Sequence, residues 1–365
     1  MKFKPLKIGK YTIKHPIVQG GMGLGISWDN LAGSVSKHGG LGVVSSVGTG
    51  YYKERKYSKK DISDRPFEAE NFYSRDGFKA IINSAKKIAD GKPIAVNVLY
   101  AINEYGRVAR DACELGADII ITGAGLPTNM PEFTEGYPDV ALVPIVSSAK
   151  ALKIICKRWK QRYNRLPDAV VVEGPKSGGH QGFTYEQCFK EEYQLENLIK
   201  PIKEEIKRWG DFPLIAAGGI WDHDDIVKIM ELGADGVQMG TRFIGTHECD
   251  ASENFKQVII DSKEEDIKLL KSPVGYPARG VRTNLIKMVE KKEGPKIKCI
   301  SNCVSPCKRG QEAKEVGYCI ADRLSDAYLG KAETGLFFTG SNGYKLDEII
   351  TVKELMDKLV NGEDA

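Results

Sequence analysis

The sequence predicts an α/β protein, a (β/α)8 TIM barrel with an inserted smaller substrate or lid region. From residue 17 onward, short apolar runs alternate with longer helical patterns, which is typical of parallel strands joined by crossover helices. Eight such runs occur, each nearly continuous, as expected of strands that are buried on both faces. They occupy residues 17–22, 41–47, 94–100, 118–124, 141–147, 169–174, 213–220 and 236–243. The 365 residues exceed the roughly 250 of a typical barrel, so one barrel plus an insertion accounts for the length.

Two long interruptions of this alternation predict loops over the open end of the barrel. Residues 48–76 are rich in charge and tyrosine, and residues 271–316 carry SPVGYPARGVRTN and three closely spaced cysteines. Irregular insertions in a barrel usually belong to the loops that build the active face. We therefore expect a barrel over residues 1–270, an inserted cysteine-containing lid or substrate region over 271–316, and C-terminal helices over 317–365 that close the barrel. Helical patterns at 320–330 and 352–360 fit this last role.

The composition excludes several classes of protein. With 41% hydrophobic and 28% charged residues the chain is globular, and no stretch approaches the roughly 18 apolar residues that span a membrane. The first residues, MKFKPLKIGKYTIKHPIVQGG, contain no continuous apolar segment, which predicts a cytoplasmic protein without a secretory signal. The net charge of +4 comes without a basic stripe, so we expect no nucleic-acid partner. A homodimer is left open.

Glycines at the ends of the last two predicted strands indicate a site for an anion. Strand seven ends in AAGGI with Gly218 and Gly219, and strand eight ends in VQMGTRF with Gly240 and Thr241. Barrels usually bind phosphate groups through backbone N–H groups at these two places. A glycine pair at one strand end is often only a tight turn, but two such ends on consecutive strands favour a phosphate site.

Other strand ends suggest room for a flat group and a base beside it. Strand one ends in QGGMG, and Asn97 interrupts the apolar third strand, AVNVLY, so its side chain is expected at the barrel mouth unless it is a satisfied core asparagine. The segment VVVEGPKSGGHQGF delivers Glu173 to the rim and then presents His180 between glycines. A histidine without bulky neighbours at this face is a candidate for proton transfer at neutral pH, the alternative being a loop histidine exposed by accident.

The ordered set of motifs QGGMG, AVNV, TGAG, EGPKSGGHQG, AAGGI and QMGTRF, between about residues 13 and 250, resembles the nitronate monooxygenase family, formerly called 2-nitropropane dioxygenases. It is similar as well to the flavin-dependent enoyl-acyl-carrier-protein reductases. The resemblance implies that FMN binds to the barrel and that His180 is the catalytic base. The cofactor-binding residues that it implies are Gly21, Met22, Asn97, Thr122, Glu173, Gly178, Gly179, Gly218, Gly219, Gln238, Met239, Gly240 and Thr241.

The resemblance implies an FMN-dependent oxidoreductase that oxidises nitroalkanes or nitronates with O2. Two alternatives stay open: an enoyl-acyl-carrier-protein reductase or flavin oxidoreductase that takes electrons from NAD(P)H, and a flavoprotein whose cysteines bind a metal for electron transfer. The chain departs from the family pattern at Glu173, where many members carry Gln, and at Lys176, which replaces a more usual acidic residue. These departures change the charge near the expected ring.

The inserted region offers substrate and metal candidates. Tyr276, Arg279 and Arg282 in VGYPARGVRT are expected to contact substrate, since arginine pairs well with a carboxylate or nitronate. No metal is predicted, because the spacing of Cys299, Cys303, Cys307 and Cys319 matches no standard site. Free thiols are the favoured interpretation, and a metal or a redox disulfide are the alternatives.

Overall fold

The computed structural model of the chain describes residues 3–52, 72–297, 299 and 303–362. Its strands, in chain order, are β1 (Leu6–Ile8), β2 (Tyr11–Ile13), β3 (Ile17–Gln19), β4 (Gly42–Ser45), β5 (Ile94–Leu99), β6 (Ile119–Gly123), β7 (Ala141–Val146), β8 (Val170–Glu173), β9 (Gly179–His180), β10 (Leu214–Ala217), β11 (Gly236–Met239), β12 (Ile267–Leu270) and β13 (Ala278–Val281).

The α-helices of these residues follow the strands as crossover connections or belong to the C-terminal third. They are α1 (Asp29–Lys37), α2 (Arg75–Ala89), α3 (Tyr105–Glu114), α4 (Met130–Phe133), α5 (Ala149–Tyr163), α6 (Leu195–Lys207), α7 (His223–Glu231), α8 (Thr241–Ile244), α9 (Glu253–Ile260), α10 (Asn284–Glu290), α11 (Gln311–Val316), α12 (Ile320–Tyr328) and α13 (Val352–Asn361). Within the described ranges, no helix has the length and apolar character needed to cross a membrane.

Eight parallel strands form the barrel, and this confirms the predicted fold. The hydrogen-bonded order is β3-β11-β10-β8-β7-β6-β5-β4. The two outer strands of this order meet through a parallel bridge between Val18 and Leu41, where the Gln19 amide donates to the Leu41 carbonyl at 2.9 Å. Each barrel strand overlaps one of the eight predicted runs, but the strands are shorter. The run 17–22, for example, ends as a strand at Gln19, and its last residues turn into a loop.

The barrel interior is a packed apolar core that is closed at one end by the N-terminal hairpin. Side chains alternate along each strand, so Ile119 and Ile121 face the interior while Ile120 packs against the helices outside. Leu6 and Ile8 of the hairpin are buried in the same cluster as the interior side chains. The hairpin therefore seals the amino ends of the strands, and only the carboxyl ends remain for a ligand.

The inserted region is tied to the barrel by a small sheet. β13 pairs with β12 on one side and with β9 on the other, so a two-residue strand from the loop after β8 joins the insertion. A separate apolar core lies beneath it and contains Leu270, Leu285, Ile286, Tyr318, Ile320 and Leu336. The first predicted lid, 48–76, falls mostly on residues 53–71, which lie outside the described residues.

The C-terminal helices pack on the outside of the barrel. The Tyr328 ring of α12 lies 5.5 Å from the Trp28 ring, and the Ser325 and Tyr51 hydroxyls are 3.2 Å apart. The last helix, α13, begins with a capping box of Thr351 and Glu354 and contacts α1 and α7. Between these two helices, residues 338–342 line the cavity described next, at the open end of the barrel.

Candidate functional site

A cavity of about 300 Å³ opens at the carboxyl ends of the barrel strands. This is the end at which barrel enzymes place their catalytic residues. His180 lines the cavity, and so does every predicted cofactor-binding residue except Thr122. These are Gly21, Met22, Asn97, Glu173, Gly178, Gly179, Gly218, Gly219, Gln238, Met239, Gly240 and Thr241. The structure therefore brings together, in one place, residues that are more than 200 positions apart in the chain.

Thr122 is the exception because of the alternation along β6. Ile119 and Ile121 point into the barrel, so Thr122 shares the outward side with Ile120. Its side chain is fully buried. Gly123 and Ala124, the next two residues, line the cavity in its place.

The floor of the cavity is the last inward-facing layer of the barrel. Asn97 and Glu173 follow the interior residues Ala95 and Val171 by two positions, and Gln238 follows the outward-facing Val237 by one, so all three side chains point inward at the open end. The Asn97 amide donates weakly to the Ile121 carbonyl at 3.3 Å, and the buried Gln238 Oε1 atom has no hydrogen-bond partner among the described residues. This layer thus presents polar groups to whatever fills the cavity.

Gly21 allows the chain to pass directly over this floor. A Cβ atom at Gly21 would lie 2.3 Å from the Asn97 Cβ, so no larger residue fits without moving the strand end. The Met22 amide is already engaged, since it donates to the Ser27 hydroxyl at 2.8 Å. At Met22 the backbone N–H is therefore not available to a ligand.

One end of the cavity is a cradle of four backbone segments, residues 176–179, 218–219, 240–241 and 339–342. A Cβ at Gly178 would lie 2.7 Å from the Thr339 carbonyl carbon and 2.8 Å from the Gly340 nitrogen. The Gly340 amide donates to the Thr241 hydroxyl at 2.8 Å. The segments therefore touch one another, and we refer to them below as the cradle.

Several polar atoms in the cradle have no partner in the protein. The hydroxyls of Ser177, Thr339 and Ser341 are buried without a hydrogen bond within the described residues. Buried hydroxyls normally find a partner, and these three lie on segments that meet at the glycines of the two predicted turns. The cradle is thus equipped to receive an acceptor-rich group.

Residues 339–342 were not predicted from the sequence. Their only local signal is the run TGSNG, which is typical of an ordinary loop. They are held in place by long-range bonds: the Asn342 side chain donates to the Gly219 carbonyl at 2.8 Å, and the Ser341 amide donates to the Lys176 carbonyl at 3.0 Å.

His180 lies next to the cradle, on β9, directly after Gly179. Its Nε2 atom is 2.7 Å from the Ser272 hydroxyl, and its ring packs edge-on against Phe338 at 5.4 Å. Pairing of β9 with β13 fixes its backbone, since His180 is opposite Ala278. Burial lowers the pKa of His180 to about 4, so the imidazole is neutral at physiological pH.

The cavity contains a second titratable group whose pKa moves in the opposite direction. Burial raises the pKa of Glu173 to about 7, because the carboxylate is taken out of water without a compensating charge. A neutral base and a partly protonated acid therefore share one cavity, an arrangement that is frequent at catalytic sites.

The three substrate candidates of the inserted region do not reach the cavity. Tyr276 is 54% exposed, and Arg282 forms an exposed ion pair with Glu290. Arg279 is largely buried, but its guanidinium donates to the Pro175 carbonyl at 2.9 Å and does not line the cavity.

Another part of the cavity wall is apolar and is built mainly by the inserted and C-terminal regions. Its described side chains are Ile102, Val274, Val304, Ile320, Leu324 and Phe338. Residues 303–305 close this wall as a strap, because the Ser305 amide donates to the Ala101 carbonyl at 2.9 Å and Val304 bridges Ile102. No arginine belongs to the described lining.

The predicted cysteine candidates are spread over this region. Cys299 is exposed, whereas Cys303, Cys307 and Cys319 are half-buried, and Cys303 lines the cavity. Burial raises the pKa of the Cys319 thiol to about 11. Among the residues that the structure describes, no group of three or more His, Cys, Asp or Glu side chains is placed to hold a metal ion.

Comparison with known proteins places this geometry in context. The model of a protein family described as nitronate monooxygenase matches residues 4–362. A probable nitronate monooxygenase of Staphylococcus saprophyticus is 27% identical over 298 residues, which cover 78% of this chain and 81% of that protein. One from Staphylococcus aureus is 28% identical over 305 residues, covering 78% and 79%.

Solved structures show the same fold. FabK from Thermotoga maritima superposes with a TM-score of 0.73 at 24% identity, covering 96% of this chain and 93% of that one. A nitroalkane oxidase from Streptomyces ansochromogenes superposes with a TM-score of 0.67 at 19% identity, covering 95% of both chains.

Proposed function

The chain belongs to the nitronate monooxygenase family and is an FMN-dependent oxidoreductase, and on that premise we propose that it oxidises alkyl nitronates with molecular oxygen. The observation that carries the proposal is the division of one cavity into a polar cradle, a base and an apolar wall. Each part suits one portion of the reacting complex.

The cradle fits the phosphate of FMN. Glycines permit the close backbone approach that a phosphate needs, and the unpartnered hydroxyls of Ser177, Thr339 and Ser341 are donors that its oxygens can satisfy. The Gly240 and Thr241 segment after β11 and the Gly218 and Gly219 segment after β10 stand where barrels commonly bind phosphate. These residues would hold the anionic end of the cofactor.

The barrel floor fits the ring of the same cofactor. Gly21 lies against Asn97 at this floor, which offers the polar side chains of Asn97, Glu173 and Gln238 to the edge of a flat heterocycle. FMN, when bound, supplies an acceptor for the substrate's electrons and passes them to dioxygen. The protein's part is to orient the ring and to keep water from it.

The apolar wall supports an alkyl substrate. Ile320, Leu324 and Val304 offer apolar contact, and no arginine of the described lining is available to a second anionic group on the substrate. A nitronate that carries only a hydrocarbon chain matches this wall better than one that carries a carboxylate.

His180 favours the anionic nitronate over the neutral nitroalkane. A base is most effective when its pKa lies near the working pH, and the pKa of His180 is about 4. Removal of the α-proton from a neutral nitroalkane by His180 would therefore be slow, whereas a nitronate arrives already deprotonated. We expect both substrates to react and the nitronate to react faster.

An anaerobic flavin-reduction screen tests the proposal. The FMN-loaded protein is mixed in separate cuvettes with an alkyl nitronate, the parent nitroalkane, NADH and NADPH, and the flavin absorbance is followed. Bleaching by the nitronate, with recovery on admitting air, is the expected result. Bleaching by NADH or NADPH alone would contradict it and would indicate a reductase.

A further inference from the structure

The side chain of Glu173 faces the cavity. It follows Val171 by two positions on β8, and Val171 belongs to the barrel interior, so Glu173 points from the interior toward the cavity. Within the described part of the chain its carboxyl group makes neither a hydrogen bond nor an ion pair. A polar group placed so is satisfied by water only while the cavity is open to solvent.

The surroundings of Glu173 offer no compensating charge. The neighbouring strands β7 and β10 contain no titratable residue, and α6 packs on the outer face of β8. The other titratable groups of the described cavity lining are His180, Lys176 and Cys303. His180 is neutral at physiological pH, and burial alone raises the pKa of Glu173, with no opposing contribution from Lys176.

Filling the cavity makes the ionised form of this carboxyl costly. A flat ring on the barrel floor displaces the water that solvates Glu173, and an unpaired buried carboxylate is strongly disfavoured. The protonated carboxyl, by contrast, has an O–H group that can donate to a ring carbonyl, as an amide side chain would.

We propose that Glu173 binds the flavin ring in its protonated form, so that cofactor binding is coupled to the uptake of one proton from solvent. The proton joins the carboxylate oxygen, and no other bond forms or breaks. This proposal rests on the FMN-binding part of the proposed function and not on its substrate.

Riboflavin is the probe that isolates this effect, because it has the ring of FMN without the titrating phosphate. Its dissociation constant from the cofactor-free protein is measured by fluorescence between about pH 6 and about pH 9. We expect the constant to rise at least about tenfold over this range, with the bend near neutrality. In Glu173→Gln, which keeps a donor but has no proton to lose, it should stay constant within about twofold.

Two further variants identify the group responsible. Lys176→Gln and His180→Asn each remove one of the other titratable side chains and should leave the pH dependence of riboflavin binding in place. Calorimetry of FMN binding in two buffers of different ionisation enthalpy should show proton uptake near neutral pH that is smaller in Glu173→Gln.

The outcomes separate this inference from the proposed function. Riboflavin binding that is independent of pH in the native protein, or an unchanged pH dependence in Glu173→Gln, would overturn the role of Glu173 even if nitronates are oxidised. A pH dependence that Glu173→Gln abolishes would support it even if the flavin is reduced only by NADH.

Discussion

The hydroxyl of Ser272 lies 2.7 Å from the Nε2 atom of His180. Ser272 comes from the inserted region and His180 from the loop after β8, so this contact joins the insertion to the barrel at the proposed catalytic base. Ser272 is buried, and its hydroxyl also accepts from the Val274 amide at 3.3 Å. The imidazole is thus held by a group whose own position is fixed.

Ser272→Ala should impair proton transfer while leaving the cofactor in place. Loss of the hydrogen bond that orients the imidazole should raise the activation free energy of proton transfer by about 1 kcal/mol. The kcat with a neutral nitroalkane should therefore fall about fivefold to tenfold. With the nitronate, which needs no base, kcat should change less than about twofold. Steady-state kinetics with the two substrates checks this. Equal losses for both substrates would indicate a structural defect instead.

His180→Asn should separate the two substrates more sharply. Turnover of the neutral nitroalkane should be lost, FMN affinity should be retained, and nitronate oxidation should persist. Because the pKa of His180 is lowered to about 4, the native imidazole is the neutral base at all higher pH values. The base should therefore lose activity only as the pH falls toward 4, and unchanged nitroalkane turnover in the variant would show that another group is the base.

Gly178→Ala should weaken the binding of FMN more than the binding of riboflavin. The new methyl group would lie within 2.8 Å of Thr339 and Gly340 backbone atoms, which must move and open the cradle. We expect the FMN dissociation constant to rise at least about tenfold, as for the loss of one or more charge-assisted hydrogen bonds. Gly210→Ala is the matched control, since its nearest neighbours would be 3.8 Å away. Similar losses for FMN and riboflavin would argue against a phosphate in the cradle.

Leu324→Arg should redirect the enzyme toward substrates with a carboxylate. Leu324 is half-buried on the apolar wall, so an arginine there can reach the cavity without filling a packed core. The ratio of kcat/KM for a carboxylated nitronate to that for an alkyl nitronate should rise about tenfold or more. Leu232→Arg, at a position that is 44% exposed and outside the cavity, should leave the ratio unchanged. A ratio that does not change in Leu324→Arg would place the substrate elsewhere.

Glu173→Gln should stabilise the cofactor-free protein at alkaline pH. The pKa of Glu173 rises from 4.5 when free to about 7 in the fold. Below pH 4.5 the carboxyl is protonated in both states, so burying it brings no ionisation cost to the native state. The penalty grows as the pH rises through this window and is complete above 7. Urea unfolding at about pH 8 should therefore show the variant more stable by about 1–3 kcal/mol, with little difference at about pH 4. If the native protein were more stable than Glu173→Gln at about pH 8, Glu173 would not be a buried, unpaired carboxylate.

The sequence was sufficient to predict the fold, and the glycines that it singled out line the cavity. Nearly continuous apolar runs located all eight barrel strands, because both faces of each strand are buried. Side chains alternate between the two faces of a strand, so Thr122 in β6 lies on the outward side with Ile120 and away from the cavity.

Other parts of the site have no local signal. Ser272 reaches His180 from 92 residues away, and Gly340 reaches Thr241 from 99 residues away, so both contacts depend on how the C-terminal third folds back. Arg279 is suited by chemistry to an anion, but its guanidinium is bound to the Pro175 carbonyl. Only tertiary packing decides such placements.

We propose that the cradle holds the phosphate of a bound flavin. Comparing the affinities of the protein for FMN and for riboflavin, which lacks the phosphate, tests this proposal. Dissociation constants of the two ligands are measured on the same cofactor-free protein at one pH and salt concentration. We predict that FMN binds at least about a hundredfold more tightly than riboflavin, since its phosphate gains several charge-assisted hydrogen bonds. Equal affinities for the two ligands would contradict it.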